Sequence, residues 1–228
     1  MNSAYLIDLG TREFREVWQL QRELVAQRAR GEIPDILLLV EHPHVFTTGR
    51  GSRDPRTHIR VGRLCIECYT IERGGGMTYH GPGQLVGYPI VNLAERGRDL
   101  HGYLRQLEEV IIGTLGDFQI RAQRRPGLTG VWTMEICSKK IASIGVAVRR
   151  WVSYHGFALN VNTDLRFFEA ISPCGLDASV MTSLAQIQQT AIALELVKAR
   201  LARRFSEVFD LALATSEFSS VASITEPA

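Results

Sequence analysis

Residues 141–161 read IASIGVAVRRWVSYHGFALNV, two apolar runs with little between them but Arg149-Arg150. Ile141 to Val148 and Trp151 to Val161 are strand candidates, and the connection is too short for a crossover, so the pair predicts an antiparallel hairpin. Working outward, Val131 to Ile136 has strand character, and Asp99 to Asp117 carries Leu100, Leu104, Leu107, Val110 and Ile111 at helical spacing. Leu85 to Val91, Arg63 to Glu72, Val45 to Thr48 and the continuous apolar run Ile36 to Val40 read as strands. Near the start, a short strand Tyr5 to Leu9 precedes an amphipathic helix from Thr11 to Arg30, built on Phe14, Val17, Trp18, Leu24 and Val25 and ended by Gly31 and Pro34. A last helix begins near Thr190 with Ile192, Leu196, Val197, Leu201, Phe205 and Val208 on one face. Helices and strands alternate irregularly, which predicts an α+β fold, a mixed sheet with packed helices. We expect one catalytic-size domain over residues 1–213 and a polar C-terminal tail over 214–228.

Composition narrows the class. A chain of 228 residues with 45% hydrophobic and 22% charged residues has enough apolar content for a packed core. Its 26 basic and 24 acidic residues leave a net charge of +2, too balanced to argue for nucleic acid. The N-terminal MNSAYLIDLGTREF lacks a signal-peptide pattern, and no apolar stretch approaches membrane-spanning length. A cytoplasmic protein is expected, with Cys65, Cys68, Cys137 and Cys174 reduced, since their irregular spacing is not that of a disulfide framework. Basic partner surface must be local, with Arg121, Arg124, Arg125, Arg149 and Arg150 as candidates for docking acidic partners.

Chemistry concentrates in three places. Residues 73–89, RGGGMTYHGPGQLVGYP, interleave glycines with Thr78, Tyr79, His80 and Gln84, so backbone N–H groups can approach a ligand while polar side chains orient it. We read this stretch as a binding loop fed by the strand before it. A hairpin connection needing positive φ would explain only some of the glycines. A phosphate loop would need a terminal Gly-Lys-Ser/Thr, and a dinucleotide fingerprint would open a helix, so nucleotide binding is disfavoured. Cys174 lies between Pro173 and Gly175, a context that suits either an accessible nucleophile or a small buried hydrophobe. Lys140, at the start of the hairpin, is either a solvated cation or a group that stabilises a nearby thiolate and relays protons. In His155-Gly156-Phe157-Ala158-Leu159-Asn160 the small residues suit an apolar slot or a glycine bulge in a core strand. Cys65-Ile-Glu-Cys68 falls inside a strand with no second metal-ligand pair at zinc spacing, and His42 and His44 flank Pro43 in a strand-end turn. No metal is predicted.

Taken together, RGGGMTYHGPGQLVGYPI, KIASIGVAV and HGFALNVNTDLRFFEAISPCGLDASVMTSL resemble, in this order, the signature blocks of the lipoyl(octanoyl) transferase family. The resemblance spans His42 to Leu184 and implies the fold of the biotin and lipoate protein ligase catalytic domain. It implies Cys174 as carrier of an acyl thioester and Lys140 as the residue lowering its pKa. It also implies substrate contacts at Arg73, Gly74, Gly75, Gly76, Met77, Thr78, Tyr79 and His80, at Ser143, Ile144 and Gly145, and at Gly156, Phe157 and Ala158. Gly76 departs from the pattern, where a polar residue is often expected. The activity implied is octanoyl transfer from octanoyl-acyl carrier protein to a lysine of the lipoyl domains of 2-oxoacid dehydrogenases and of the glycine cleavage H protein, with no cofactor. Phe157 and Leu159 are expected to wall an apolar tunnel for the chain. Lipoate or biotin-type ligation with ATP, transfer of an attached lipoyl or octanoyl group between proteins, and mere binding of acyl carrier protein are the alternatives.

Overall fold

The computed structural model describes residues 2–52 and 54–216, with the backbone alone for Asn2 and Cys174. In chain order it runs β1 (Asn2–Thr11), α1 (Phe14–Arg30), β2 (Asp35–Glu41), β3 (Val45–Thr48), β4 (His58–Val61), β5 (Leu64–Thr70), β6 (Met77–His80) and β7 (Gln84–Ile90). There follow α2 (Leu100–Gly116), β8 (Ala122–Arg125), β9 (Leu128–Thr133), β10 (Lys140–Arg149) and β11 (Val152–Asn160). After short 3₁₀ segments at Leu165–Ala170, Pro173–Gly175 and Ala178–Val180 come α3 (Leu184–Gln188), α4 (Leu194–Phe209) and β12 (Leu211–Thr215).

Eight strands form one sheet in the order β12-β1-β2-β7-β11-β10-β9-β8, and β4-β5-β3-β6 form a smaller one. The expected hairpin is present: β10 and β11 pair antiparallel from Ala142↔Leu159 to Arg149↔Val152. Its turn falls one residue later than the sequence reading put it, on Arg150 and Trp151, both left-handed at φ 52° and 64°. Parallel pairs flank β1 and antiparallel pairs connect β2 through β8, so the sheet is mixed and the fold is α+β.

Burial explains the apolar runs. On β2, Leu37 and Leu39 join the core that holds α2 and α4, while Ile36, Leu38 and Val40 join the core under α1. A strand covered on both faces needs apolar residues at every position, which is what Ile36 to Val40 supplies. Each such side chain contributes about 1.5–3 kcal/mol when fully buried. Helix α1 ends where Gly31 turns left-handed at φ 76° and returns its N–H to Arg28 O. Arg28, buried beside that end, bonds Asp35 Oδ1 at 2.8 Å and Glu95 Oε2 at 2.7 Å, so its charge is paired where it is desolvated.

Several boundaries differ from the sequence reading. Met77–His80 is a strand of the small sheet, with every residue buried, rather than part of a loop. The last long helix begins at Leu194, because Leu184–Gln188 forms a separate helix that stops at left-handed Gln189. Ala214 and Thr215 pair with Tyr5 and Leu6 in β12, and residues 217–228 of the expected tail lie outside the described residues.

Candidate active site

The glycine cluster crosses over β10. Gly74 N–H donates to Val146 O at 2.9 Å, and a β-carbon on Gly145 would stand 2.9 Å from Gly74 O and 3.1 Å from Arg73 Cδ. Only glycine allows that approach. Residues 49–51 stitch the other side, with Gly51 N–H on Gly75 O at 2.9 Å and Arg50 N–H on Arg73 O at 3.0 Å. Arg73 is buried and donates through Nη2 to Thr47 O (2.8 Å) and Thr47 Oγ1 (2.9 Å). Its guanidinium therefore fastens the cluster to β3.

Beneath this crossing lies a slot lined by Phe14, Ile71, Arg73, Thr78, His80, Val86, Tyr88, residues 143–145 and residues 155–158. The two-residue period of β6 divides its four residues: Thr78 and His80 face the slot, whereas Met77 and Tyr79 join the core of the small sheet. Tyr79 stacks on Phe167 with ring centroids 4.8 Å apart and shares a 2.7 Å hydrogen bond with His44 Nδ1. The same alternation corrects the tunnel wall in part. Phe157 borders the slot while also joining the core under α2 and α4, its ring so close over Gly87 that a β-carbon there would meet Cζ at 2.1 Å, whereas Leu159 belongs to that core and does not line the slot. Ser143, Gly145, Gly156 and Ala158 leave the slot open because they are small. Phe14, Ile71, Val86, Tyr88 and His155 were missed; the alternation of β7 carried the signal for Val86 and Tyr88. His155 lies at left-handed φ 54° and had no local signal. The slot's free volume is ≈ 30 Å³, room for about one water.

A directional hydrogen-bond chain runs along the slot. His80 is neutral: burial, with His42 and Arg73 adding to it, lowers its pKa to about 3. Its Nδ1–H donates to Gln84 Oε1 at 2.8 Å, which leaves Nε2 to accept from Thr47 Oγ1 at 3.5 Å. Gln84 Nε2 donates to Asn160 Oδ1 (2.9 Å) and Tyr79 O (3.2 Å), and Asn160 Nδ2 donates to Thr182 O (3.0 Å). Thus the glycine-rich block is tied to the segment following the Pro-Cys-Gly turn. His42 is also neutral, its pKa lowered to about 4 by burial, and is held between Arg12 O and the Tyr88 hydroxyl.

Lys140 comes to the same segment from β10. Its carbonyl accepts from Thr182 N–H at 3.0 Å and it bridges Met181, while its buried side chain brings Nζ 5.7 Å from the Trp132 ring centroid. The Pro173–Gly175 turn closes with Gly175 N–H on Ser172 O (3.1 Å) and Leu176 N–H on Pro173 O (3.1 Å), and Gly175 adopts φ +78°. This turn packs against β6. The Cys174 side chain lies outside the described residues. Of the other cysteines, Cys65 and Cys137 are exposed and Cys68 is buried, its pKa raised by desolvation.

The basic candidates do not form one surface. Arg124 bonds Glu109 and Arg105 O, Arg125 stacks over Trp132, and Arg149 and Arg150 sit at the end of β10 away from Lys140. No helix among the described residues is long and apolar enough to cross a membrane.

The site thus joins a glycine-rich crossing over a mixed sheet, a narrow slot, and a buried lysine bonded through its backbone to Met181 and Thr182. Residues 13–206 match the lipoyl protein ligase A/B catalytic domain family. Solved structures agree in fold: lipoate-protein ligase A bound with ATP superposes with TM-score 0.80 at 17% identity, covering 99% of this chain and 92% of that one. Biotin protein ligase from Aquifex aeolicus superposes with TM-score 0.51 at 13% identity, over 92% and 70% of the respective chains. In sequence the chain is 48% identical to the octanoyltransferase of Geotalea uraniireducens over 90% of its length and 92% of that protein, and 45% identical to that of Synechococcus elongatus over 92% and 89%. The chain belongs to the octanoyltransferase family, whose members are acyltransferases.

Proposed function

We propose that this enzyme transfers octanoyl from octanoyl-acyl carrier protein to a lysine of lipoyl domains, those of 2-oxoacid dehydrogenases and of the glycine cleavage H protein, through a thioester on Cys174. In the first step the Cys174 thiolate attacks the donor thioester carbonyl; the new C–S bond forms, the old one breaks, and the carrier thiolate takes a proton as it leaves. In the second, the neutral amine of the acceptor lysine attacks the enzyme thioester, a C–N bond replaces the C–S bond, and the amine gives up a proton. Lys140 is the proposed partner of the thiolate and the group that moves these protons. Neither step needs ATP, because thioester exchange is nearly balanced and amide formation from a thioester runs downhill.

The carrying observation is that Lys140, buried in β10, is bonded through its backbone to Met181 and Thr182, just beyond the Pro-Cys-Gly turn. The slot over Ser143, Gly145, Gly156 and Ala158 suits the acyl chain, whose eight carbons must part its walls given the small free volume. Three free cysteines among the described residues, Cys65, Cys68 and Cys137, fit the proposed cytoplasmic setting, where thiols stay reduced.

The test is rapid quench with octanoyl-acyl carrier protein alone, followed by intact mass spectrometry. A hydroxylamine-labile octanoyl adduct is expected on the unaltered protein and none on Cys174→Ala. Transfer activity surviving in Cys174→Ala, or a strict requirement for ATP, overturns the reading in favour of a ligase.

A further inference from the structure

Strand β10 gives the slot a direction. Lys140 begins the strand, the slot residues Ser143, Ile144 and Gly145 follow, and the glycine cluster then crosses at Val146, where Gly74 N–H bonds Val146 O at 2.9 Å. The crossing closes the end of the slot away from Lys140. Opposite Val146 on β11 stands His155, the slot residue of that strand farthest from Lys140. From Ser143 to Val146 the floor runs about 10 Å, close to the length of an eight-carbon chain laid out in zigzag with bonds of about 1.5 Å.

The ring of His155 is placed against the habit of its strand. Strict alternation along β11 would set it with Phe157 and Leu159, which join the core under α2 and α4. At left-handed φ 54° it turns instead to lie 4.8 Å from the ring of Tyr154, a member of the core under α1. A histidine keeps such backbone only where its surroundings impose it. Gln21 of α1 supplies part of that constraint, its Oε1 accepting the His155 backbone N–H at 2.8 Å. The ring donates through Nε2–H to Glu72 Oε2 at 3.4 Å, and Trp18 Nε1 donates to the same oxygen at 3.1 Å. The imidazole side chain is 2% exposed, and its Nδ1 has no hydrogen-bond partner among the described residues.

We propose that His155, held by Glu72 and Trp18, is the end stop of the acyl slot and fixes the length of chain the enzyme accepts. The proposal rests on the reading of the slot as the acyl site and adds the residue that measures the chain. A chain two carbons longer must press its methyl end against the unpaired Nδ1 or break the bond between His155 and Glu72. The first sets hydrocarbon against a buried polar nitrogen, and the second strips a half-buried carboxylate of a partner. A shorter chain meets neither obstacle but leaves apolar contact unmade at the closed end.

The test compares kcat/KM for decanoyl- and octanoyl-acyl carrier protein, with a purified lipoyl domain as acceptor, in the unaltered enzyme, His155→Gly and Glu72→Ala. Glycine suits the left-handed backbone, so the first variant removes the ring without adding strain. Glu72 does not line the slot, so the second frees the ring and leaves the walls as they are. The unaltered enzyme should favour octanoyl. The decanoyl-to-octanoyl ratio should rise at least about tenfold in His155→Gly, the lower end of what a pocket achieves against a mismatched methylene, and in the same direction but less in Glu72→Ala. A loss of folded enzyme lowers both rates alike and cancels in the ratio. Ratios that stay at the parent value in both variants overturn the proposal, as does a parent that takes decanoyl as readily as octanoyl. Should transfer require ATP and the free acid, the thioester reading fails, and the same ratio measured with decanoic and octanoic acids still decides the end stop.

Discussion

Lys140 lies across Gly130: a β-carbon on Gly130 would stand 2.8 Å from Lys140 Cε and 2.5 Å from the Ala142 carbonyl oxygen. Gly130 adopts φ +122°, and its N–H donates to the fully buried carboxylate of Glu108 at 3.2 Å. Strand β9 thus shapes the bed in which Lys140 rests.

Replacing that glycine should therefore cost both stability and activity. Gly130→Ala is expected to lower the unfolding free energy by about 1–3 kcal/mol through strain at a positive φ. Octanoyl transfer, measured where the variant remains folded, should fall at least about tenfold, because Lys140 must shift by a distance that matters for a positioned group. Equal activity per folded molecule would show that Lys140 tolerates displacement.

Removing the lysine should act on the thiol. A free thiol has pKa about 8.5, and each unit of depression is worth about 1.4 kcal/mol of preference for the thiolate. With Cys65, Cys68 and Cys137 replaced by serine, the pH profile of iodoacetamide alkylation reports Cys174 alone. Lys140→Ala should move that profile to higher pH. Lys140→Arg should keep more of the thiolate yet lose transfer activity, since arginine keeps its charge but gives up no proton. A Lys140→Ala profile that overlays the parent would make Lys140 a bystander. His80 could not then take its place as a cation, being neutral in the fold.

Acid should destabilise the fold through its buried imidazoles. Folding lowers the pKa of His42 to about 4 and of His80 to about 3, chiefly by desolvation, and lowers that of His155 for the same reason. Since an unfolded histidine titrates near 6.5, the unfolded chain takes up protons first as pH falls. The stability held by these neutral side chains is complete above pH 6.5 and is lost as pH drops toward 4 and then 3. Each contributes a slope of about 1.4 kcal/mol per pH unit in that window. Urea unfolding at pH 7.5, 6.0 and 5.0 should show this decline, and a flat profile would contradict it.

The hairpin turn should be improvable. Arg150 and Trp151 both occupy left-handed backbone where Asn-Gly is preferred. Arg150→Asn with Trp151→Gly should raise the unfolding free energy by about 1–2 kcal/mol, read as a higher urea midpoint at unchanged m. Strand β10 spans ten residues, so this turn stands about 30 Å from Lys140. Catalysis with saturating partners should therefore be unaffected, and a loss of kcat would reveal a coupling that the geometry does not contain.

Much of the architecture was legible because its causes are local. Apolar period, the glycine stop at Gly31 and the short link between two apolar runs located α1, β2, β10 and β11 with small errors at their ends. Strand β6 was hidden because Met77–His80 pairs only through β3, a partner remote in sequence, while its glycine surroundings imitate a loop. The turn residues Arg150 and Trp151 were hidden too, since neither prefers left-handed backbone and the pairing of the flanking strands imposes it.

For the site, the three motif blocks sufficed to bring Arg73, His80, Lys140, Ser143, Gly145 and Ala158 under consideration and to point to the family, because side-chain chemistry and spacing are written along the chain. Which way each side chain faces is not written there. A one-residue step reverses the face of a strand residue, so Leu159, Met77 and Tyr79 went into cores while Thr78, His80 and Ala158 met in the slot. Neutral His80 is likewise a product of assembly. Its charge state follows from burial among Phe14, His42, Arg73 and Gln84, contributed by distant segments, and a pKa shift of that size arises only once those segments have excluded water.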